Sequence, residues 1–256
     1  MKPVELADLI RGTIIYEVEN RECITSYRDP IVGFVAASDP GFSNLSEWMK
    51  FRHMMPAELL QGARSVVCFY LPFAPEIAMA NLRERKQVAR EWAVAYHDTN
   101  TLIGRITSRL IEVLGQYGVQ AAAEPATGNF DRKELRSHWS HKSIAVLAGI
   151  GSFGLHQLVI TDAGCTGRFG SIVIDADLPI NKPAQKERCE YYAFGTCLSC
   201  IFGCPVDALA EGEPIDRQAC WDLCLKNADA FLDIGPEIQS CGKCAVVGPC
   251  ALKSAV

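Results

Sequence analysis

The chain has 256 residues, of which 49% are hydrophobic and 21% charged, the composition of a folded globular protein without low-complexity segments. The formal net charge is −5 and no block of lysine and arginine occurs, which argues against a nucleic-acid-binding surface. Charges at Glu5, Asp8 and Arg11 argue against a signal peptide. We therefore expect a cytoplasmic protein whose cysteines stay reduced.

Apolar patterns predict an α/β (α+β) core in the first part of the chain. Residues 1–20 have the pattern of an amphipathic helix. Three apolar runs are typical of buried strands: residues 31–37, 65–71 and 169–175. Residues 76–117 carry apolar side chains at helical spacing, on one or two long helices that Gly118 would end. Ser140 is a candidate N-cap for a further helix.

The longest stretch without a charged residue, residues 143–161, is about the length of a membrane span. It contains Gly149, Gly151, Gly154 and His156, a composition that favours a buried strand–turn element instead. We therefore expect no contact of the protein with a membrane.

Cysteines divide the chain into two predicted domains. Nine of the twelve cysteines fall between Cys189 and Cys250. The boundary lies in a proline-containing, charged linker at residues 176–187. We predict an α/β core over residues 1–180 and a ferredoxin-like cysteine module over residues 181–256.

The module begins with an altered ferredoxin run. A bacterial run has the spacing C-x2-C-x2-C-x3-C-P, and its last four positions are present: Cys197, Cys200, Cys204 and Pro205. Phe194 stands where the first cysteine is expected. Cys189, eight residues before Cys197, is the nearest cysteine that can replace it.

A second altered run follows at residues 241–250, CGKCAVVGPC, and the cysteines of the module together are enough for two [4Fe–4S] clusters. Each cluster needs four thiolates, and in two-cluster ferredoxins the last cysteine of each run binds the other cluster. This rule assigns one cluster to Cys189, Cys197, Cys200 and Cys250. It assigns the second to Cys204, Cys241, Cys244 and either Cys220 or Cys224, of which we prefer Cys220.

A zinc ribbon is the alternative, although one Zn²⁺ would leave five of the module's nine cysteines unexplained. Cys23, Cys68 and Cys165 lie in or near apolar stretches and are expected to be structural.

Two glycine-rich segments are candidate cofactor contacts. Gly149, Gly151 and Gly154 permit close approach to a flat ligand, or alternatively a crowded helix–strand turn. Arg168 and Gly170, in the second segment, could form a loop whose guanidinium meets an amide or phosphate. A surface hairpin with a solvated arginine is the other interpretation.

The sequence resembles the epoxyqueuosine reductase and reductive dehalogenase group between residues 140 and 250. Members carry an A-G-[LI]-G-x-x-G-x-x-x-L-[LV]-I-T run, here AGIGSFGLHQLVIT. A G-x-x-R-x-G strand and two cluster runs follow it, and the corresponding strand here, GCTGRFG, has one more residue between the first glycine and the arginine. The resemblance implies a nitroreductase-like core that binds a base-off corrinoid and two [4Fe–4S] clusters that supply it with electrons. This chain looks like a short form of the group.

The chain departs from that group at the proposed proton donor. The aspartate of its D-[ST]-x-P motif is replaced by Leu135, and the following E-R pair by His141 and Lys142. A reductase must deliver protons with its electrons, and a carboxyl or imidazole suits this near neutral pH. The candidate replacements are Asp131, Glu134, His138 and His141.

Three functions remain open from the sequence. The first is a reductase in which the clusters pass electrons to a corrinoid, acting on a small molecule or on the corrinoid itself. The second is an electron-transfer or activator protein without its own substrate site, and the third is a flavin-dependent reductase. An electron donor such as ferredoxin or flavodoxin is expected. No helical repeat follows the module and the net charge is acidic, so tRNA is not the expected substrate. A homodimer is compatible with the sequence.

Overall fold

The computed structural model describes residues 1–84, 87–180, 186–235 and 238–256. Its helices are α1 Pro3–Glu19, α2 Pro40–Met49, α3 Pro56–Leu59, α4 Pro75–Arg83, α5 Arg90–Gly115, α6 His141–Leu147, α7 Glu190–Phe194, α8 Ser199–Phe202, α9 Arg217–Asp229 and α10 Lys243–Val246. Its strands are β1 Ile31–Ala36, β2 Ser65–Pro72, β3 Ala121–Ala122, β4 Phe130–Asp131, β5 Arg136–Ser137, β6 Ser152–Phe153, β7 Val159–Ile160 and β8 Gly167–Ile174. This mixture of helices and strands confirms the predicted class.

A four-stranded antiparallel sheet in the order β1-β2-β8-β3 forms the centre of the core. Strand β2 is buried along its whole length, and the register pairs Val67 with Phe34 of β1 and with Ile172 of β8. Strand pairs β4–β5 and β6–β7 form two separate hairpins. The three strands predicted at residues 31–37, 65–71 and 169–175 are confirmed within two residues as β1, β2 and β8.

Helices cover both faces of this sheet. Successive side chains of a strand point to opposite faces, so the alternate residues of β2 reach different helices. Val67 and Phe69 belong to a cluster with α1 and α5, whereas Val66 and Cys68 belong to a cluster with α2 and α6. Both faces of β2 are therefore apolar, which explains why its sequence has no polar alternation.

The remaining helix predictions are also confirmed. The segment at residues 76–117 forms two helices, α4 and α5, and Gly118 lies in the following turn with a φ of +74°. The hydroxyl of Ser140 accepts a hydrogen bond from Ser143 N at 3.2 Å and caps α6. In the charge-free stretch, α6 occupies the first half and the β6–β7 hairpin the second. No described helix is long and apolar enough to cross a membrane.

The cysteine module packs directly on the core. Phe73 and Trp92 of the core share one hydrophobic cluster with Phe231, Ala245 and Val246 of the module. Residues 181–185 of the predicted linker lie outside the described residues. The domain boundary near residue 180 therefore stays a prediction.

A buried polar contact reinforces this packing. Asn81, in α4, donates a hydrogen bond from Nδ2 to the Cys241 carbonyl at 2.9 Å. Lys243 Nζ donates to the Asn81 carbonyl at 2.8 Å and to the Glu84 carbonyl at 2.6 Å. Burial lowers the pKa of Lys243. These bonds connect α4 to the loop that carries two predicted cluster cysteines.

Candidate functional site

Short helices and tight turns position the nine cysteines of the module. Cys189 precedes α7, Cys200 lies within α8, and Cys244 lies within α10. Cys220 and Cys224 lie four residues apart in α9, and this spacing puts both thiols on one face of the helix. All twelve cysteines of the chain have free thiols, so the sulfurs are available to metal ions.

Cys200 lies within electrostatic reach of three other thiols. Burial, together with the neighbouring thiols of Cys250, Cys189 and Cys197, raises the pKa of Cys200 to about 11. These four are the thiols that the spacing rule assigns to the first cluster. The ligand assignment itself stays a prediction, and the grouping is compatible with it.

A second group of thiols surrounds Cys244. Burial raises the pKa of Cys244, and Cys241, Cys220, Cys200 and Cys204 raise it further. The Ala208 amide donates a hydrogen bond to Cys204 Sγ at 3.2 Å. This second group contains the four thiols that the rule assigns to the second cluster, and it shares Cys200 with the first group.

Cys220 and Cys224 differ in their tendency to ionise. A hydrogen bond between the two thiols lowers the pKa of Cys220 and raises that of Cys224. A thiolate is the metal-binding form of cysteine. The choice of Cys220 over Cys224 as the ligand stays a prediction from the sequence.

The first glycine-rich segment has structural reasons for its glycines: Gly149 follows the end of α6, and other atoms of the protein fill the space beside Gly151 and Gly154. Gly149 has a φ of +71° directly after α6, a conformation that favours glycine at the end of a helix. A Cβ atom on Gly151 would lie 2.4 Å from Val159 Cγ1, and one on Gly154 would lie 2.8 Å from His156 Cε1. The structure therefore favours the crowded helix–strand turn over an open cradle for a flat ligand.

Arg168 has an unsatisfied donor. Its guanidinium carbon lies 4.3 Å from the centroid of the Tyr96 ring, and burial lowers its pKa. Its Nε is buried and has no hydrogen-bond partner among the described residues. The same holds for the hydroxyl of Tyr70, on the neighbouring strand β2. Gly170 lies next to Phe69 and Ile103, whose side chains fill the space of its missing Cβ.

Lys142 lies between the core and the module. Its Nζ donates a hydrogen bond to the Gln157 carbonyl at 3.0 Å. Burial and, to a smaller extent, Arg217 lower the pKa of Lys142 to about 8, although Cys244 and Cys220 act in the opposite direction. Lys142 is thus a core cation within electrostatic reach of the second group of thiols. In the sequence, Lys142 is marked only by its departure from the E-R pair of the related reductases.

His141 belongs to a buried network that uses both of its ring nitrogens. Nε2 lies 3.1 Å from the Pro125 carbonyl, which can only accept, so Nε2 carries the proton. Nδ1 then accepts from the Ser171 hydroxyl at 2.8 Å, and this hydroxyl accepts from Trp139 Nε1 at 2.9 Å. Burial lowers the pKa of His141 to about 4. A role as proton donor stays a prediction, but this geometry does not favour it.

The other three candidate proton donors lie outside the buried region. Asp131 and Glu134 are part of the surface segment around β4 and β5. The pKa of Asp131 is lowered because its carboxylate accepts hydrogen bonds from the backbone amides of Glu134 and Lys133. His138 stacks on Phe51 with ring centroids 4.6 Å apart. None of the three has a hydrogen bond to a described cysteine of the module, and their catalytic roles stay predictions.

Comparison with known proteins identifies similar reductases. No family model matches the chain. The epoxyqueuosine reductase of Shewanella oneidensis is 28% identical over 234 residues, which are 82% of this chain and 55% of that protein. The chain thus spans about half the length of this curated relative.

Solved structures of two enzyme types share the fold. An epoxyqueuosine reductase in complex with a tRNA stem loop has a TM-score of 0.61 at 18% identity, covering 96% of this chain and 66% of that one. A catabolic reductive dehalogenase has a TM-score of 0.66 at 15% identity, covering 100% and 33%. A further reductive dehalogenase, described for B12-dependent dehalogenation, has a TM-score of 0.55 at 15% identity, covering 83% and 26%. The resemblance is confirmed: the chain is similar in sequence to epoxyqueuosine reductases and has the fold of both groups.

Proposed function

We propose that this chain is an iron–sulfur reductase whose module holds two [4Fe–4S] clusters that supply electrons to a corrinoid in the α/β core. The observation that carries the proposal is that nine free thiols are collected in one module, which packs directly against the core. A single zinc site would use only four of these thiols. Two clusters account for eight of them.

The proposed ligands of each cluster follow the ferredoxin spacing rule. Cys189, Cys197, Cys200 and Cys250 would hold the first cluster. Cys204, Cys220, Cys241 and Cys244 would hold the second. Thiolates are soft ligands that suit iron–sulfur clusters, and free thiols in close groups are the donor set that such clusters require.

Arg168 is the proposed contact of the core with the corrinoid. A corrinoid bound in the base-off form would supply low-potential redox chemistry for the reduction of a small molecule. Arg168 Nε and the Tyr70 hydroxyl are buried polar groups without partners among the described residues, and a ligand that reached them would satisfy both. The B12-dependent dehalogenase with the same fold supports a corrinoid here.

An EPR spectrum of anaerobically purified protein mixed with cob(II)alamin tests the proposal. We expect conversion of the base-on signal to base-off. Arg168→Met should weaken this conversion, and Arg83→Met, which removes an exposed arginine of α4, should not. A signal that stays base-on beside reducible cluster signals would contradict the corrinoid part, and flavin would be tested next.

An electron-transfer or activator protein without a substrate site is the second candidate. It is favoured by the positions of the four candidate proton donors: three lie at the surface, and His141 has both ring nitrogens engaged. Replacement of His141 by Gln would separate the two functions, because only a reductase that uses His141 would lose turnover while its clusters stay reducible. In either case a ferredoxin or flavodoxin is the proposed electron donor.

The substrate is not carried over from the relatives. One epoxyqueuosine reductase binds a tRNA stem loop. This chain covers about two thirds of that protein, and its acidic net charge provides little attraction for a polyanion. The expectation that it does not act on tRNA stays a prediction.

A further inference from the structure

Two buried residues outside the predicted ligand set lie beside Cys250. His156, in the β6–β7 hairpin, and Cys165, which precedes β8, are both buried. The ligand atoms of His156, Cys165 and Cys250 lie within 4.8 Å of one another. His156 Nε2 is 3.5 Å from Cys250 Sγ.

The hydrogen bonds of His156 fix which nitrogen carries the proton. The Leu158 amide donates to Nδ1 at 3.1 Å, so Nδ1 is an acceptor without a proton. The proton of the neutral ring therefore resides on Nε2, the nitrogen that faces Cys250. Cys250, as a thiolate ligand, would accept this hydrogen bond.

The hairpin is built to hold the ring in this position. Gln157 has a φ of +60°, and the Gly154 amide donates to the Leu158 carbonyl at 2.8 Å to close the turn. The His156 ring occupies the space where Gly154 would carry a Cβ. Lys142 Nζ also donates a hydrogen bond to the Gln157 carbonyl in this turn.

Cys165 is a second neighbour with a hydrogen that can be donated to Cys250. Its Sγ lies 3.4 Å from the Ala245 carbonyl, which is an acceptor only. A thiol has one hydrogen and donates weakly, so Cys165 can serve either this carbonyl or Cys250. His156 has no such competing acceptor for Nε2 among the described residues.

We infer that His156 donates a hydrogen bond from Nε2 to the Cys250 thiolate and thereby raises the reduction potential of the first cluster. Reduction adds negative charge to the cluster and its sulfurs, and a hydrogen-bond donor stabilises that charge. His156 is thus a positioning residue that acts through Cys250 and is not itself a ligand. The inference rests on the proposed function, because it requires Cys250 to bind a cluster.

A redox titration followed by EPR tests this role. His156→Phe keeps a ring of similar size and removes the donor. We expect full iron content and a shift of about tenfold in the one-electron reduction equilibrium toward the oxidised cluster, about 59 mV. His156→Gln retains an amide donor and should restore part of the shift. His53→Gln, which replaces a buried histidine beside Trp139, is the matched control and should not move the potential.

Two results would overturn the inference: an unchanged potential with full iron content in His156→Phe, or the loss of about four irons, which would make His156 a ligand. If His156→Phe does not fold, ENDOR of the wild-type protein with ¹⁵N-labelled histidine decides. A weak nitrogen coupling with an exchangeable proton supports the hydrogen bond. No coupling, or the strong coupling of a coordinated nitrogen, overturns it.

Failure of the cluster assignment would give a different result. Cys250→Ala should lose about four irons if Cys250 binds a cluster. If Cys250→Ala keeps all of its iron, the assignment in the proposed function is wrong and the basis of the inference is removed. If it loses iron while the potential of His156→Phe is unchanged, only the role of His156 is wrong.

Discussion

At the scale of single residues, Cys220 and Cys224 of α9 have different predicted roles, the first as a cluster ligand and the second as a spare thiol. The hydrogen bond between them lowers the pKa of Cys220 and raises that of Cys224. The preference for Cys220 from the sequence predicts that Cys220→Ala loses about four irons and that Cys224→Ala keeps about eight. Iron and sulfide analysis of the two variants, purified anaerobically side by side, checks this. The opposite pattern would make Cys224 the ligand.

Gly242 has a strict spatial requirement at the entry to α10. Its φ is +69°, and a Cβ atom there would lie 2.1 Å from Trp92 Cζ2. Gly195 has a similar φ of +71° with open space around it. Gly195→Ala should cost about 1 kcal/mol of unfolding free energy from backbone strain. Gly242→Ala should lower the free energy of unfolding by about 1–3 kcal/mol more than Gly195→Ala does, because its added methyl group overpacks against Trp92.

Thermal unfolding of the two glycine variants under anaerobic conditions measures this difference. The unfolding temperature of Gly242→Ala should fall clearly below that of Gly195→Ala. Equal unfolding temperatures would show that Trp92 moves without cost, and the packing of the module on α5 would then be looser than described.

At the scale of elements, the helix α6 depends on an uncharged His141. Burial lowers its pKa from 6.5 to about 4, so between these values the unfolded chain binds more protons than the folded protein. The contribution is fully present above pH 6.5 and is lost as the pH falls toward 4. The loss is on the order of 3 kcal/mol in unfolding free energy.

The pH dependence of thermal unfolding between pH 7 and 5 tests this statement. His141→Gln should be less stable than wild type at pH 7 but should lose less stability as the pH falls. His138→Gln, which removes a histidine outside the buried network, should keep the wild-type slope. Equal slopes for all three proteins would contradict a neutral, buried His141.

The elements that the sequence predicts well are those with local signals. Strand β2 is an uninterrupted apolar run, and the Ser140 cap precedes α6 by one residue. Cys189 stays the predicted replacement for the missing cysteine, and it is buried near Cys200, whereas Phe194 is 66% exposed. Such features depend on neighbours within one or two turns of the chain.

The features that the sequence does not predict depend on distant contacts. His156 and Cys250 are 94 residues apart and meet because the β6–β7 hairpin and the C-terminal segment pack together. In the sequence, His156 is a single histidine in a charge-free, glycine-rich stretch. Its spacing from the cysteines matches no ligand pattern, so the sequence does not predict its contact with Cys250. The glycines were open to two interpretations for the same reason, since only the fold shows which atoms fill the space beside them.

At the scale of the whole molecule, the core and the module form one packed unit. Arg28, before β1, donates hydrogen bonds to the Phe73 carbonyl at 2.9 Å and to the Leu252 carbonyl at 2.8 Å. The Cys165 amide donates to the Cys250 carbonyl at 3.0 Å. The proposed cluster ligand Cys250 is therefore fixed against the core, as electron transfer between the module and a core cofactor requires.

Metal and sulfide analysis of anaerobically purified protein tests the central claim most directly. Two [4Fe–4S] clusters predict about eight irons and about eight sulfides per chain, with about four of each lost in Cys200→Ser. Zinc without sulfide, or iron unchanged in Cys200→Ser, would contradict the account.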